Sequence, residues 1–412
     1  MSTAIVTPPP ASVIKGEVVL PSSKSISNRV LIIRAICESD FVIENLSDAD
    51  DTVTLKRLLD SGQDEFNAGD GGTTLRFLLA YLALKGKPIK ITASDSLKNR
   101  PVSPLADALR SLGADILYDE EEGRLPLTLN QSEVKGGRVT ISGDISSQFV
   151  SALMLIGPSL KGGLEIHLTG EVLSLPYILM TRSVMEYFGV QVKISDSQIM
   201  VPEGRYIPRE ITIEPDWSAA SYWYEMAALS DECEVLLKGL QPDSLQGDSV
   251  VWKLFEFLGV HTRFTESGAV LTKVKGFSMP DYFSHDFSGC PDLGPAVGAA
   301  TGALNITADL NNLKNFRLKE SDRAVAMQRE LYNFSVKTDF CGGSRFKVYP
   351  GRGIRPWSRP VNTYNDHRIA MAFAPLCLVT GSVTVNEPNV VKKSYPGFWE
   401  DLKSVGFKVE FN

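Results

Sequence analysis

The chain has 412 residues, of which 43% are hydrophobic and 22% charged, and its 42 Lys and Arg against 49 Asp and Glu give a formal net charge of −7. This composition is that of a soluble globular protein of two or three domains, and it excludes a disordered chain, a collagen and a disulfide scaffold. The acidic balance argues against a nucleic-acid-binding surface, and five widely spaced cysteines without a C-x-x-C pair indicate free thiols in a reducing compartment.

The N-terminal segment, residues 1–22, is predicted to contain a strand and no export signal. Residues 1–6 lack the basic start and the long apolar core of a signal peptide. The most apolar windows, such as residues 149–160, fall short of the roughly 20 residues needed to cross a bilayer. We therefore expect a cytoplasmic protein that does not enter a membrane.

Six repeats of a two-helix pattern follow this segment. In each, a helix of small and apolar residues starts behind Ser, Gly, Asp or Thr, and a more polar helix ends near a residue suited to a left-handed C-cap. The first helices are predicted to start near Ser23, Asp70, Asp144, Asp216, Ser288 and Tyr364, and the second helices to end near Gly62, Gly113, Gly189, Gly259, Ser335 and Gly406. The first repeat is short, because too few residues lie between Leu59 and Asp70 for a strand pair.

Segments of alternating polarity, such as residues 164–168, lie between the helices and predict strands. Each repeat is thus βαβα with one or two further strands. The six repeats divide three and three at about residues 209–215. We predict one lobe from residues 23–214 and another from residues 1–22 with 215–412, with the active site in the cleft between the lobes.

Two segments could bind an anion at a helix start. Residues 22–29 place Lys24, Arg29 and several serines where free N–H groups and the helix dipole favour a phosphate or carboxylate. The alternative is that the serines only cap the helix and the cations are solvated. Residues 69–76 are a Gly-rich approach to another helix, unlike a P-loop or a G-x-G-x-x-G segment, and a tight turn with a cap is the alternative there.

Clusters of cations, amides and hydroxyls recur at the corresponding helix starts of the other repeats. They are residues 98–101, 146–148, 319–323 and 365–368, with a last pair of cations at 392–394. Each could be a solvated turn. Their recurrence in phase with the repeat predicts a cleft lined by anion donors.

Three carboxylates are candidates for acid–base chemistry, namely Asp216, Asp292 and Glu320. A carboxylate among cations stays ionised and can accept a proton. For Asp216 we favour an N-cap. His367 could orient its neighbours Asp366 and Arg368, and it lacks companions for a metal site.

Together these segments resemble the EPSP synthase (3-phosphoshikimate 1-carboxyvinyltransferase) family of enolpyruvyl transferases over residues 21–398. Residues 24–29 resemble the family's Lys-Ser-x-Ser-Asn-Arg segment, and residues 72–76 resemble its Gly-Thr-x-x-Arg segment. The other matches are Arg100-Pro101, Ser146-Ser147-Gln148, Ser174 with Tyr177, Pro291-Asp292, Asn315 with Lys319-Glu320 and Arg323, Asp366-His367-Arg368, and Lys393. The resemblance implies an α/β (α+β) fold of two similar lobes, each of three βαβαββ units in pseudo-threefold arrangement (an inside-out α/β barrel), with the first unit truncated.

The resemblance also implies a reaction of the shikimate pathway to chorismate and the aromatic amino acids. The enolpyruvyl group of phosphoenolpyruvate is transferred to the 5-hydroxyl of shikimate 3-phosphate with release of phosphate, without metal or cofactor, by a monomer. Implied catalytic residues are Asp292 as base and Lys24 and Glu320 as candidates for proton transfer. The implied shikimate 3-phosphate ligands are Ser25, Arg29, Ser146, Ser147, Gln148, Ser174, Tyr177, Asn315 and Lys319. The implied phosphoenolpyruvate ligands are Lys24, Gly72, Arg100, Gln148, Arg323, Arg368 and Lys393.

Two alternatives and a few departures accompany this resemblance. The departures are Asp70 for a usual Asn, Phe77 for Pro, Asn99 for Glu and Ser22 for Gly, none of which removes a charged ligand. The related UDP-N-acetylglucosamine enolpyruvyl transferases have a Lys-Asn pair and usually a reactive Cys in the first lobe. Here Ser25 follows Lys24, and no Cys lies between Cys37 and Cys233. A noncatalytic anion-binding relative would not need Lys24, Asp292 and Glu320.

Overall fold

A computed structural model describes residues 2–37, 39–144, 146–351 and 353–412. These residues contain 14 α-helices and 21 strands. The helices are α1 (Lys24–Cys37), α2 (Asp50–Asp60), α3 (Gly72–Ala83), α4 (Asp95–Lys98), α5 (Ser103–Ser111), α6 (Ser147–Ile156), α7 (Leu175–Tyr187), α8 (Trp217–Leu229), α9 (Val251–Glu256), α10 (Gly294–Ala303), α11 (Arg323–Asn333), α12 (His367–Phe373), α13 (Cys377–Thr380) and α14 (Phe398–Ser404). The strands are β1 (Thr3–Thr7), β2 (Val13–Val18), β3 (Ile43–Glu44), β4 (Glu65–Asn67), β5 (Ile89–Thr92), β6 (Ile116–Tyr118), β7 (Leu127–Leu129), β8 (Gly137–Ser142), β9 (Leu164–Thr169), β10 (Lys193–Ser195), β11 (Gln198–Val201), β12 (Ile211–Thr212), β13 (Glu232–Lys238), β14 (Val260–Thr265), β15 (Gly268–Lys273), β16 (Tyr282–Asp286), β17 (Thr307–Asn311), β18 (Lys337–Cys341), β19 (Arg345–Tyr349), β20 (Val383–Asn386) and β21 (Lys408–Phe411).

The chain divides into two compact units. The N-terminal unit is Ser22–Ile213, and the C-terminal unit combines Met1–Pro21 with Glu214–Asn412. Each unit has its own hydrophobic core, which the buried residues of its own helices and strands form.

Four of the sheets have four strands and share one topology. In each, two parallel strands lie side by side, and an antiparallel hairpin is added to the second of them. The strand orders are β4-β5-β7-β6 and β8-β9-β11-β10 in the N-terminal unit, and β2-β13-β15-β14 and β16-β17-β19-β18 in the C-terminal unit. The predicted α/β repeat is thereby confirmed.

The first and last repeats depart from this topology. The first has a two-stranded parallel sheet of β3 and β12, and no hairpin lies between α2 and β4 in this described stretch. The predicted truncation of the first unit is confirmed, since the short spacing leaves no chain for that hairpin. In the last repeat the sheet order is β20-β1-β21, so the N-terminal strand supplies one strand of the hairpin.

Three buried helices form the centre of each unit. Helices α1, α3 and α6 contact one another in the N-terminal unit, as do α8, α10 and α12 in the C-terminal unit. Every residue of α12 is buried, and every residue of α3 except Thr73. These helices lack a charged stripe, which is the pattern of a helix covered on all sides.

The second helix of each repeat is more polar and ends as predicted. Helices α2, α5, α7, α9, α11 and α14 are each followed, two or three residues later, by a residue with positive φ. That residue is Gly in five repeats and Ser335, with φ of 68°, in the other. Among the described helices, none is both long enough and apolar enough to span a membrane.

Candidate active site

Charged side chains gather at the starts of the buried helices, in one cluster in each unit. We define the N-terminal cluster as Lys24, Asp51, Gly72, Arg76, Arg100 and Gln148. We define the C-terminal cluster as Asp292, Lys319, Glu320, Arg323, Asp366 and Arg368. The first lies at the starts of α1, α3 and α6, and the second at the starts of α11 and α12 and in the 3-10 helix Pro291–Leu293 that leads into α10.

Lys24, the first residue of α1, forms an ion pair with Asp51 of α2. The distance from Nζ to Oδ2 is 2.9 Å, and both side chains are mostly buried. Thr74 of α3 donates to the backbone carbonyl of Asp51 at 2.8 Å. A partly desolvated pair of this kind holds the ammonium group in one position at the helix start. Ser23 caps α1, since its hydroxyl accepts from the backbone nitrogen of Ile26.

Arg29 is enclosed by the interior of the N-terminal unit. Its Nε donates to Thr181 at 2.7 Å, and its Nη1 donates to the carbonyl of Ser25 at 2.7 Å. Its Nη2 donates to Ser151 and to the carbonyl of Tyr177, both at 3.2 Å. Burial lowers the pKa of Arg29 to about 10, which leaves it charged at neutral pH. Arg29 therefore joins α1, α6 and α7 and brings Ser25 and Tyr177 together.

Gly72 begins α3 and faces two guanidinium groups. A β-carbon at Gly72 would lie 2.6 Å from Nη1 of Arg76, and 2.9 Å and 3.1 Å from Nη1 and Nη2 of Arg100. The Nη1 of Arg76 donates to Oε1 of Gln148 at 2.7 Å. The structure thus brings together Gly72, Arg100 and Gln148, three of the residues implied to bind phosphoenolpyruvate.

The hydroxyl groups implied to bind shikimate 3-phosphate lie at the starts of α6 and α7. Ser146 caps α6 by accepting from the backbone nitrogen of Gln148 at 3.3 Å, and Ser147 is the buried first residue of that helix. Ser174 precedes α7 in a left-handed conformation with φ of 59°. Residues 146–148 therefore form a helix start and not the solvated turn that was the alternative for this cluster.

Asp292 is the centre of the C-terminal cluster and contacts three cations. Its Oδ1 lies 2.8 Å from Nη1 of Arg323 and 3.4 Å from Nζ of Lys319, and its Oδ2 lies 2.8 Å from Nη2 of Arg368. Burial alone would raise the pKa of Asp292, but Arg368, Lys319 and Arg323 together hold that pKa well below its usual value. The carboxylate is therefore ionised at neutral pH.

Arg323, the first residue of α11, is surrounded by carboxylates. Its Nε donates to Oδ2 of Asp366 at 2.8 Å, and its Nη2 donates to Oε2 of Glu320 at 2.6 Å. Burial opposes its charge, but Asp366, Glu320 and Asp292 hold the pKa of Arg323 above its ordinary value. Arg323 is thus charged and fixed, and it contacts both carboxylates that are implied to act in catalysis.

Arg368 is the second residue of α12, and Lys393 lies beside the start of that helix. Nη1 of Arg368 donates to the hydroxyl of Tyr222 at 3.4 Å. Nζ of Lys393 donates to the carbonyl of Asn365 at 2.9 Å. The implied phosphoenolpyruvate ligands of this unit therefore meet at one helix start.

Asn315 and Lys319 come from the segment before α11. Asn315 is buried in the 3-10 helix Lys314–Leu318, and Lys319 follows that helix directly. Burial lowers the pKa of Lys319, and the attraction of Asp292 opposes that effect.

Two expectations about the acidic residues are resolved by hydrogen bonds. Asp216 caps α8 by accepting from the backbone nitrogen of Ala219 at 3.0 Å, so the favoured N-cap is confirmed. Asp366 caps α12 by accepting from the backbone nitrogen of Arg368 at 3.0 Å, and it also binds Arg323. Asp366 thus orients the guanidinium group of Arg323 and caps the helix that carries Arg368, and the orienting role suggested for His367 stays a prediction.

Four residues of the clusters or their surroundings were not predicted, namely Asp51, Arg76, Tyr222 and Asp248. Arg76 belongs to the segment 72–76, but nothing in the sequence near it indicates that it contacts Gln148. Asp248 lies buried in the 3-10 helix Gly247–Val250 and accepts from Ser218. Burial and, after it, the nearby charge of Asp292 raise the pKa of Asp248 to about 7.

Comparison with known proteins relates the whole chain to one family. The profile of EPSP synthase (3-phosphoshikimate 1-carboxyvinyltransferase) matches residues 9–61 and 54–402. A 3-phosphoshikimate 1-carboxyvinyltransferase of Bacteroides fragilis (strain YCH46) is 40% identical over 405 residues, which cover 97% of each chain. One of Shewanella baltica (strain OS195) is 32% identical over 426 residues, which cover 96% of this chain and 98% of the relative. The solved EPSP synthase of Acinetobacter baumannii superposes with a TM-score of 0.78 at 22% identity over the full length of both chains, a likeness of fold.

Proposed function

Since the chain belongs to the EPSP synthase family, the 3-phosphoshikimate 1-carboxyvinyltransferases, we infer that it is the enzyme that transfers the enolpyruvyl group of phosphoenolpyruvate to shikimate 3-phosphate. The reaction belongs to the shikimate pathway of aromatic amino acid biosynthesis. The observation that supports it most directly is the convergence of Arg323, Arg368 and Lys319 on the single carboxylate of Asp292. Cations held in a buried cluster suit substrates that together carry two phosphates and two carboxylates.

Phosphoenolpyruvate binding is assigned to cations of both clusters. In the N-terminal cluster the proposed ligands are the cations Lys24 and Arg100, together with Gly72 and Gln148. In the C-terminal unit the proposed ligands are Arg323, Arg368 and Lys393. Arginine suits this role because its planar fork of N–H groups matches a carboxylate or a phosphate bidentately.

Shikimate 3-phosphate binding is assigned mainly to hydroxyl groups and to two cations. The residues are Ser25, Arg29, Ser146, Ser147, Gln148, Ser174, Tyr177, Asn315 and Lys319. In support, Arg29 ties Ser25 and Tyr177 to one interior position, and α6 begins with Ser147. The backbone N–H groups at that helix start favour a phosphate.

Asp292 is the proposed base for the 5-hydroxyl of shikimate 3-phosphate. The low pKa that its three cations impose makes it a weak base in the arrangement described above. An incoming phosphate or carboxylate competes for Arg323 and Arg368, which neutralises part of that positive charge. The pKa of Asp292 then rises towards the range in which it accepts a proton efficiently.

The chemistry is an addition followed by an elimination. The 5-hydroxyl oxygen attacks C2 of phosphoenolpyruvate and gives its proton to Asp292, while C3 gains a proton and becomes a methyl group. Phosphate then leaves C2 of the tetrahedral intermediate, and C3 loses a proton to restore the double bond. Lys24, which Asp51 holds in place, and Glu320, which Arg323 holds, are the candidates for the proton transfers at C3.

Phosphate release tests the proposal. With both substrates, the protein is expected to release one phosphate per enolpyruvyl group transferred, and with either substrate alone it is expected to release none. Release with UDP-N-acetylglucosamine in place of shikimate 3-phosphate would instead support the alternative transferase, which the family comparisons do not favour. No release with either acceptor would contradict an enolpyruvyl transferase.

The cellular location and oligomeric state of the enzyme are proposals that rest on its cysteines and its net charge. All five cysteines are free thiols in the structure, as in proteins of the reducing cytoplasm. We place the enzyme there as a monomer that binds neither nucleic acid nor membrane, consistent with its net charge of −7. Sedimentation at micromolar concentration tests the monomer.

A further inference from the structure

Arg76 is a buried arginine that joins three elements of the N-terminal unit. It lies in the second turn of α3, with 2% of its surface exposed. Its guanidinium carbon lies 4.8 Å from the centre of the Phe149 ring on α6. Its Nη2 lies 3.4 Å from the carbonyl of Pro101, just before α5. The guanidinium plane is therefore held by a ring and a carbonyl, and its position is well defined.

The contact of Arg76 with Gln148 determines which end of the Gln148 amide can bind a ligand. An arginine has only donors, so the atom that it contacts at 2.7 Å must be the acceptor Oε1. The amide plane is thereby fixed, and the NH₂ group of Gln148 is directed away from Arg76. Gln148 is half-buried, so this NH₂ group can donate to an anion.

Arg76 also differs from its neighbour Arg100 in the partners that it holds. Both guanidinium groups border the space that a β-carbon at Gly72 would occupy. Arg76 is engaged by Gln148, Pro101 and Phe149. Arg76 is thus held by groups of the protein itself, whereas Arg100 is the arginine assigned above to phosphoenolpyruvate.

We propose that Arg76 is a positioning residue, which fixes the amide of Gln148 so that its NH₂ group faces the substrate anions, and this rests on the proposed function. Removing Arg76 frees the amide to rotate, so an acceptor oxygen faces the anion for part of the time. The loss should appear in the binding and use of the substrates that Gln148 contacts, and it should vanish when Gln148 is absent.

A double-mutant cycle tests this dependence. Arg76→Met is expected to lower kcat/KM for phosphoenolpyruvate about 10–100-fold, the range of a lost hydrogen bond to a charged group. In a Gln148→Ala background the same change is expected to have less than about a twofold effect. Two effects that simply multiply would overturn the proposal, because Arg76 would then act independently of Gln148.

Two further variants separate positioning from folding. Arg76→Lys keeps the charge and one donor, so it is expected to retain more activity than Arg76→Met, and equal losses would count against the proposal. Arg110→Met is the matched control, since Arg110 also stacks on a ring, that of Tyr118, and donates to a backbone carbonyl outside the cluster. It is expected to leave both KM values unchanged.

An NMR measurement that needs no catalysis tests the role of Arg76 separately from the proposed reaction. In protein labelled with ¹⁵N at glutamine amides, the Gln148 NH₂ resonance is identified by its loss in Gln148→Ala. Arg76→Met is expected to shift or broaden it, and Arg110→Met to leave it in place. An unchanged resonance in Arg76→Met overturns the positioning role. An inactive parent enzyme with a shifted resonance would contradict only the proposed reaction.

Discussion

Arg323 donates to both carboxylate oxygens of Asp366, through Nε at 2.8 Å and through Nη2 at 3.3 Å. One edge of the guanidinium group is thus held by Asp366, and Nη1 is directed at Asp292. The same carboxylate accepts from the backbone nitrogen of Arg368. One fully buried side chain therefore holds the guanidinium group of Arg323 and the backbone of Arg368, two residues that are proposed to bind phosphoenolpyruvate.

Replacing Asp366 should affect both stability and substrate binding. Asp366→Ala leaves the buried guanidinium of Arg323 without its main partner, and breaking such a pair typically costs about 3–5 kcal/mol of the free energy of unfolding. Asp366→Asn keeps the helix cap and should cost less. Both should raise the KM for phosphoenolpyruvate. Denaturant unfolding and steady-state kinetics measure the two effects.

The control for Asp366 is Asp322, which caps α11 without entering the buried cluster. Asp322→Ala is expected to cost about 1 kcal/mol, the usual value of an N-cap, and to leave the KM for phosphoenolpyruvate nearly unchanged. If the two alanine variants behaved alike, Asp366 would be only a cap.

Asp292→Asn should reduce turnover far more than substrate binding. The amide keeps the shape of the carboxylate but cannot accept the proton of the 5-hydroxyl, and loss of a general base typically lowers the rate about 10²–10⁴-fold. Separate determination of kcat and of each KM measures this. The control is Asp309→Asn, which alters a carboxylate of β17 that lies 3.5 Å from Nζ of Lys347. Its kcat and both KM values should be near those of the parent. A parent-like kcat for Asp292→Asn would remove Asp292 from the chemistry.

Much of the fold could be predicted from the sequence because local signals repeat six times. The first helix of each repeat consists mostly of small or apolar residues, and a residue with positive φ follows each second helix. The missing hairpin of the first repeat follows from chain length alone. The pairing of β1 between β20 and β21 is a long-range contact, and no local pattern near residues 3–7 specifies those partners.

Site residues that lie in a short segment at a helix start could be predicted from the sequence. Contacts between side chains that are distant in the sequence could not. Asp51 lies in an acidic helix start that resembles an ordinary first turn, and only the fold brings it to Lys24. Arg76 contacts Gln148 from a different helix, 72 positions away in the sequence. Tyr222 lies in an apolar helix, where a tyrosine is expected to be core.

Glu225 should make stability depend on pH in the opposite sense to an ion-paired acid. It lies on α8 with no exposed surface, and neither carboxylate oxygen has a hydrogen-bond partner among the described residues. Burial raises the pKa of Glu225 well above its usual value. Below about pH 4.5 the group is protonated in both states, so no penalty arises. As the pH rises, only the unfolded state loses the proton, and the free energy of unfolding falls.

Glu225→Met tests this with a side chain of similar length and no charge. It is expected to raise the free energy of unfolding by about 1–3 kcal/mol at pH 7, with a smaller gain at pH 4.5. Denaturant unfolding across that range measures the difference. Glu256→Met, an exposed glutamate of α9, is the control and should show no such trend. A gain that is constant with pH would mean that Glu225 is ionised in the folded protein.

Arg100→Ala and Arg368→Ala should mainly raise the KM for phosphoenolpyruvate, with a smaller effect on that for shikimate 3-phosphate. Arg368 is buried and Arg100 half-buried, each beside other cations, so the loss of the contact with a desolvated anion should cost roughly 2–5 kcal/mol of binding. Arg368→Ala also removes the ion pair with Oδ2 of Asp292, and should therefore lower kcat more than Arg100→Ala does. Initial rates with each substrate varied in turn decide the matter. An equal loss for both substrates, or a loss confined to shikimate 3-phosphate, would mean that these arginines are assigned to the wrong ligand.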